Sequence, residues 1–187
     1  VALKDMAAPN PEAVRRGTEN LRNALRIVSL YGLPAVVAIN RFPTDSPEEI
    51  AVVKEVAMDA GAVGVEEAKG FAEGGDGMTE LAAAVVKAAD IPSDVKLLYE
   101  DDDDYFGKVE HMAKSLYLAG DVKWGPMTRT TARKFAANGW NYQVCIAKTH
   151  LSISADPKLK GAPTGHTLPI RELRILAGAR QIVTLAG

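Results

Sequence analysis

The segment AINRFPTD, residues 38–45, follows an apolar run and presents an amide, a cation, an aromatic ring, a proline and an acid. Side chains this different seldom share a packing role, because buried positions favour apolar groups. Side by side, they can instead line a cleft that binds a ligand. The candidate binding residues in this segment are Asn40, Arg41, Phe42, Pro43 and Asp45.

A second candidate segment is glycine-rich and spans residues 70–77. It carries an aromatic ring at Phe71, and Gly74 and Gly75 allow backbone amides to approach a ligand closely. If Phe42 and Phe71 lie on opposite walls of one cleft, they can hold a flat ligand by stacking. The alternative is that both rings only pack against the rim of a sheet.

Other reactive residue types give weaker signals. Lys148 follows the apolar run 144–147 and is a further candidate for lining the same cleft. The acidic run 100–104 is typical of a solvated loop. The histidines, which are His111, His150 and His166, lack metal-ligand spacing. The sequence therefore predicts neither a metal site nor a catalytic side chain.

Hydrophobic periodicity predicts the elements that position these residues. The predicted elements are a helix over 12–31, a strand over 33–39, a helix over 47–60, a strand over 62–65 and a helix over 79–89. The 33–39 run is apolar throughout, which is typical of an inner strand of a parallel sheet covered on both faces. Ser46 followed by Pro47 predicts a capped helix start.

Alternating strands and helices indicate an α/β fold with right-handed crossovers and a mostly parallel sheet with covering helices. Ligands bind beyond the carboxyl ends of such strands. The segments 40–45 and 66–77 each follow a predicted strand. We therefore expect both segments to face one cleft.

The second half of the chain predicts a smaller α/β C-terminal region. Its predicted elements are a strand over 95–99, helices over 106–118 and 126–137, a strand over 144–147 and two strands after residue 151. We predict two domains, residues 1–92 and 93–187. The final residues, 181–187, have the pattern of a strand cut off within a fold, so we expect the second domain to be truncated at its end.

Composition excludes several classes of protein. The 187 residues are 47% hydrophobic with a net charge of −2. A near-neutral charge argues against nucleic acid as a partner, and no apolar run approaches the roughly 18 residues needed to span a membrane. The single cysteine, Cys145, cannot form an internal disulfide. We expect a cytoplasmic protein.

Three long motifs in order resemble the formate–tetrahydrofolate ligase family. They read GLPAVVAINRFPTDSPEEI, KGFAEGGDGMTELA and CIAKTHLSISADPKLKGAPTGHTLPIREL. The resemblance implies a P-loop NTPase-like architecture and ATP-dependent ligation of formate to tetrahydrofolate through formyl phosphate. It also implies ATP with Mg²⁺, activation by a monovalent cation, and a homo-oligomer, typically a tetramer.

The resemblance also assigns the two rings. In the family, the pterin lies between two aromatic residues whose positions match Phe42, with Pro43 beside it, and Phe71. The second ring is usually Trp. The sequence departs from the family pattern at Glu73 and Met78, and at Arg180, where the family has Gly.

The G-x-x-x-x-G-K-[ST] phosphate loop does not occur in these residues. The expectation is therefore a C-terminal-side fragment that carries the folate half of the site, inactive by itself, while ATP is held mainly by a region outside it. The alternative is a non-catalytic folate- or nucleotide-binding α/β module. A GTPase-like domain is disfavoured, because Pro43 occupies the position of the Asp that reads guanine.

Overall fold

The structure is a computed structural model that describes residues 8–147 and 153–187. The chain divides into two compact units, Val1–Lys96 and Leu97–Gly187. Each unit combines helices with a sheet, and three of the four strand pairs are parallel. The predicted α/β class with mostly parallel strands is confirmed. Within the described residues, no helix is long and apolar enough to cross a membrane.

From residue 8 onward, the described part of the first unit contains a two-stranded parallel sheet and five α-helices. The strands are β1 (Val36–Asn40) and β2 (Gly64–Ala68), and the helices are α1 (Pro11–Gly17), α2 (Glu19–Leu30), α3 (Pro47–Asp59), α4 (Gly70–Glu73) and α5 (Thr79–Ala89). Asn40 pairs with Ala68, so the carboxyl ends of both strands are level. The segments that follow the two strands therefore begin side by side.

Helix α3 begins as the sequence predicts. The Ser46 side chain accepts a hydrogen bond from the Glu49 amide at 3.2 Å, and Pro47 occupies the first turn. Gly61 follows the helix with a φ of 94°, a conformation that glycine adopts without steric cost. The helix is thus fixed at both ends by local sequence.

The single helix predicted over 12–31 is wrong, because Thr18 interrupts it between α1 and α2. The Thr18 hydroxyl donates to the Arg15 carbonyl oxygen at 2.7 Å, and the Thr18 amide donates to the same oxygen at 3.3 Å. The adjacent Gly17 has low helix propensity. Periodicity cannot detect such a break, since the apolar spacing continues across it.

The second strand runs further than predicted, and the segment after it is partly helical. Strand β2 ends at Ala68 rather than at residue 65, because the ladder with β1 continues through Glu66 and Glu67. The segment predicted as a loop over 66–77 contains α4 and a 3₁₀ turn, Asp76–Met78. Glu66 and Glu67 are charged, but a strand requires only backbone partners.

Strand β1 is less buried than its apolar sequence predicts. Its five residues are intermediate or exposed, and in the described structure it pairs with β2 alone. The buried cluster of this unit consists of Leu25, Ala57 and Ala62, with Val37 and Val65 packed against it. The core therefore covers one face of the strand pair.

The second unit contains a four-stranded sheet in the order β3-β5-β6-β4. Its elements are α6 (Tyr105–Ser115), β3 (Asp121–Trp124), α7 (Thr128–Ala137), β4 (Gln143–Ala147), β5 (Thr167–Leu176) and β6 (Gln181–Ala186). Strand β3 was not predicted, because two of its four residues are charged. The strand predicted over 95–99 is absent from the structure, where Val95 and Leu97 are exposed.

The last strand occupies the interior of the second sheet. Strand β6 pairs with β5 in an antiparallel ladder and with β4 in a parallel one. Ile182 and Thr184 on this strand are completely buried. The final residues therefore form a strand with a partner on each side.

Candidate functional site

A cavity of about 430 Å³ lies where β1 and β2 end. It is referred to below as the Phe42 cavity, and its lining residues are Arg41, Phe42, Pro43, Glu67, Lys69, Ala72 and Glu73. The first three follow β1, and the others lie on β2 or on the segment after it. The cavity therefore lies at the carboxyl edge of parallel strands, where the sequence predicts a cleft.

The turn that carries Phe42 is closed by hydrogen bonds. The Phe42 amide donates to Asp45 Oδ2 at 2.8 Å, and the Asp45 amide donates to the Phe42 carbonyl oxygen at 3.1 Å. The Arg41 amide donates to the Ala68 carbonyl oxygen at 3.0 Å, which extends the ladder by one residue. Asp45 thus shapes the turn and does not line the cavity.

Glu67 is shared by two cations at the cavity wall. Its Oε2 lies 3.0 Å from Arg41 Nη1, and its Oε1 lies 2.8 Å from Lys54 Nζ. The hydrogen bond from Lys54 is the main cause that lowers the pKa of the Glu67 carboxyl, and the charges of Lys54, Arg41 and Lys69 add to the effect. Glu67 is therefore ionised at neutral pH.

The segment after β2 is held close to its own start. The Lys69 amide donates to the Gly77 carbonyl oxygen at 3.1 Å. A Cβ atom at position 77 would lie 2.8 Å from the Lys69 carbonyl oxygen, so only glycine fits there. Gly74 has a φ of 61° at the end of α4. Both glycines thus have a local structural role.

The structure places three of the predicted site residues at the cavity and the others elsewhere. Arg41, Phe42 and Pro43 line it. The predicted residues outside the lining are Asn40, Asp45, Phe71, Gly74 and Gly75. Phe71 lies on α4, next to the lining residue Ala72, and its ring is 95% exposed. Lys148 lies outside the described residues.

Four lining residues were missed from sequence. They are Glu67, Lys69, Ala72 and Glu73. Glu67 and Lys69 could have been identified if the end of β2 had been placed correctly at Ala68. Residues at the carboxyl end of β2 lie at the same edge of the sheet as the residues that follow β1. Placing the end of this strand at residue 65 assigned all four to a loop that was expected to face the cleft, without singling out any of them.

The chemistry of the Phe42 cavity suits binding. It combines an aromatic ring and a proline with two cations, Arg41 and Lys69, and two carboxylates, Glu67 and Glu73. Among residues 8–147 and 153–187, no three His, Cys, Asp or Glu side chains are grouped so as to hold a metal ion. The arrangement can stack a flat ligand and pair with its polar edge.

Comparisons of the sequence with a family model and with individual known proteins point to the same family. The family model described as formate–tetrahydrofolate ligase matches residues 1–187. The formate–tetrahydrofolate ligase of Herpetosiphon aurantiacus is 45% identical over 184 residues, which cover 98% of this chain. The ligase of Roseiflexus castenholzii is 45% identical over 183 residues, or 97% of this chain.

A eukaryotic relative also matches. The cytoplasmic C-1-tetrahydrofolate synthase of Schizosaccharomyces pombe is 41% identical over 178 residues, which cover 94% of this chain and 19% of the relative. The chain spans 32% of the length of each of the two bacterial ligases. The match with the family model nevertheless extends from the first residue to the last. The chain therefore belongs to the formate–tetrahydrofolate ligase family.

Proposed function

We propose that this chain is part of an ATP-dependent ligase that joins formate to tetrahydrofolate through formyl phosphate, and that its Phe42 cavity holds the pterin ring. Membership of the family supports the reaction, since the bacterial relatives are named for formate and tetrahydrofolate. The name of the relative from S. pombe supports a cytoplasmic location. The chain's role in the reaction is to position the folate, because positioning a reactive pair is itself a large catalytic effect.

The observation that carries this proposal is two exposed aromatic residues, one in the cavity wall and the other next in sequence to a lining residue. Phe42, in the cavity wall, is 53% exposed, and Phe71, beside the lining residue Ala72, is 95% exposed. An aromatic ring that is exposed to water gains a favourable free energy when a ligand covers its apolar surface. A flat ligand that stacks on both rings covers this surface, which packing within the unit leaves open.

The remaining substrates are assigned to other parts of the protein. These residues contain no phosphate-loop pattern for ATP. Among the described residues, no three His, Cys, Asp or Glu side chains are grouped so as to hold a metal ion. Mg²⁺ and a monovalent cation are thus proposed from the family resemblance alone, and no step performed by this chain involves them.

The test is equilibrium binding of tetrahydrofolate to the purified chain. Phe71→Ala is expected to raise the Kd, because each stacked ring contributes about 0.5–1.5 kcal/mol beyond its buried area. Since Phe71 is 95% exposed, this substitution removes almost no internal packing, so a loss of affinity reports a direct contact. Phe42→Ala is expected to raise the Kd at least about tenfold, equivalent to 1.4 kcal/mol.

Met58→Ala is the matched control. Met58 is 53% exposed, as Phe42 is, but it lies on α3 and does not line the cavity. Its removal is expected to leave the Kd unchanged. Phe71→Trp is expected to bind tetrahydrofolate equally well or more tightly, because the larger ring offers more stacking surface. If neither alanine variant changes the Kd, the two rings do not hold the ligand.

A further inference from the structure

The Glu67 carboxylate joins three elements of the first unit. Glu67 lies on β2, opposite Ile39 of β1. Its carboxylate forms ion pairs with Lys54 on α3 and with Arg41, which follows β1. The Glu67 side chain is 21% exposed and that of Arg41 is 26% exposed, so both charges are partly removed from water. Shielded pairs of this kind hold their geometry better than fully exposed ones.

Arg41 carries the effect of Glu67 to the turn. While Nη1 contacts Glu67, Nη2 donates to the Asp45 carbonyl oxygen at 3.2 Å. Asp45 in turn holds the Phe42 amide through its carboxylate. The guanidinium group thus bridges the end of β2 and the far end of the turn that bears Phe42.

We infer that Glu67 is a positioning residue, which holds Arg41 and, through it, the Phe42–Asp45 turn in the conformation that forms the cavity wall. Only the expected consequence of this positioning, which is tighter binding of folate, rests on the proposed function. The positioning itself is a property of the unliganded chain. It can therefore be tested without any ligand.

Amide hydrogen exchange in the purified chain tests the positioning directly. The substitution Glu67→Gln keeps the shape of the side chain and removes its charge. The Phe42 and Asp45 amides are then expected to exchange about fivefold faster, because the variant loses a partly shielded ion pair that stabilises the turn. The Val63 amide, which donates to the Ala35 carbonyl oxygen at 2.8 Å, lies at the other end of the strand pair. Its exchange is expected to stay the same.

Two variants separate positioning from a general loss of stability. Glu66→Gln removes the neighbouring carboxylate, which lines a different cavity with Glu80 and Lys87, and is expected to leave the turn amides unchanged. In an Arg41→Met background, Glu67→Gln is expected to add no further acceleration, because Glu67 acts through Arg41. Additive effects in this double variant would overturn the inference.

The remaining outcomes are equally decisive. Unchanged turn amides in Glu67→Gln, or equal acceleration of the turn amides and the Val63 amide, overturn the inference. If the turn amides respond as expected and tetrahydrofolate binds to the wild type several-fold more tightly than to Glu67→Gln, both the inference and the proposed function are supported. If the amides respond but the wild type binds no tetrahydrofolate, the positioning role stands and the proposed function fails.

Discussion

Glu67 illustrates how one side chain can set the pH dependence of a site. Three cations face it, Lys54 from α3, Arg41 from the turn and Lys69 from the end of β2, and the pKa of its carboxyl is lowered. A group whose pKa is lower in the folded state stabilises that state above its unfolded pKa, and this stabilisation is lost as the pH falls through the folded value. The charged cluster should therefore persist at neutral pH and weaken in acid.

The corresponding prediction compares wild type with Glu67→Gln across pH. The wild type is expected to protect the Phe42 and Asp45 amides better than Glu67→Gln near pH 7, and the difference is expected to shrink below the ordinary carboxyl pKa of 4.5. Hydrogen exchange corrected for its intrinsic pH dependence measures this difference. A difference that stays constant down to pH 3 would show that the charge of Glu67 has no role.

His166 has a buried side chain in the second unit. The ring is 8% exposed, and neither Nδ1 nor Nε2 has a hydrogen-bond partner in the part of the chain that the structure describes. The backbone of this residue has its own hydrogen bond, which a change of side chain does not remove: the His166 carbonyl oxygen accepts from the Gly120 amide at 2.9 Å. Burial of an unsatisfied polar group costs about 1–3 kcal/mol.

We predict that His166→Leu stabilises the second unit by about 1 kcal/mol or more, because it removes this cost and keeps an apolar group in place. Denaturant unfolding followed by tryptophan fluorescence measures the change, since Trp124 and Trp140 both belong to this unit. His166→Asn serves as the control and should not be stabilising. A destabilised Leu variant would mean that the ring nitrogens have partners.

The acidic run 100–104 shows at the scale of an element what sequence patterns can miss. It is a mostly exposed loop, as the sequence predicts, and it also organises the start of α6. Asp104 Oδ1 accepts from the Gly107 amide at 2.7 Å, and the Asp101 carbonyl oxygen accepts from Lys108 Nζ at 3.0 Å. Lys108 is completely buried. Acidic residues at a helix start satisfy free amides and complement the helix dipole.

Asp104→Ala is predicted to destabilise the second unit by about 1 kcal/mol, the usual effect of removing an N-cap side chain. Asp102→Ala is the matched control, because Asp102 is exposed, lies two residues earlier and carries the same charge. Unfolding curves of the two variants, recorded by tryptophan fluorescence, should separate. Equal losses in both would indicate that only the net charge of the run matters.

The same scale explains which parts of the site were predictable. The start of α3 is a local pattern, and the sequence predicted it because Ser46 and Pro47 act within one turn. The end of β2 depends on backbone pairing with a strand about 28 residues away in sequence, as in Ala38 opposite Glu66. The Arg41 and Phe42 side of the cavity was therefore identified from sequence, whereas Glu67 required coordinates.

At the scale of the whole molecule, the chain spans only part of the length of its relatives and carries a candidate ligand-binding site. The Phe42 cavity is formed entirely within the first unit. The two bacterial ligases compared above are about three times as long as this chain, which spans 32% of the length of each. Binding of the folate and transfer of the formyl group are therefore expected to be separable in experiments.

We predict that the 187-residue chain binds tetrahydrofolate but forms no formyltetrahydrofolate from ATP and formate, because its residues contain no phosphate-loop pattern. Turnover by a pure preparation would contradict this.

The role of Phe42 in turnover can be tested in a chimera, in which this chain replaces the aligned segment of the Herpetosiphon aurantiacus ligase. In this chimera, Phe42→Ala is expected to raise the KM for tetrahydrofolate at least about tenfold, equivalent to 1.4 kcal/mol. The KM values for ATP and formate should stay the same, because we propose that other parts of the enzyme hold those substrates. A uniform fall in kcat with unchanged KM values would instead assign Phe42 to packing.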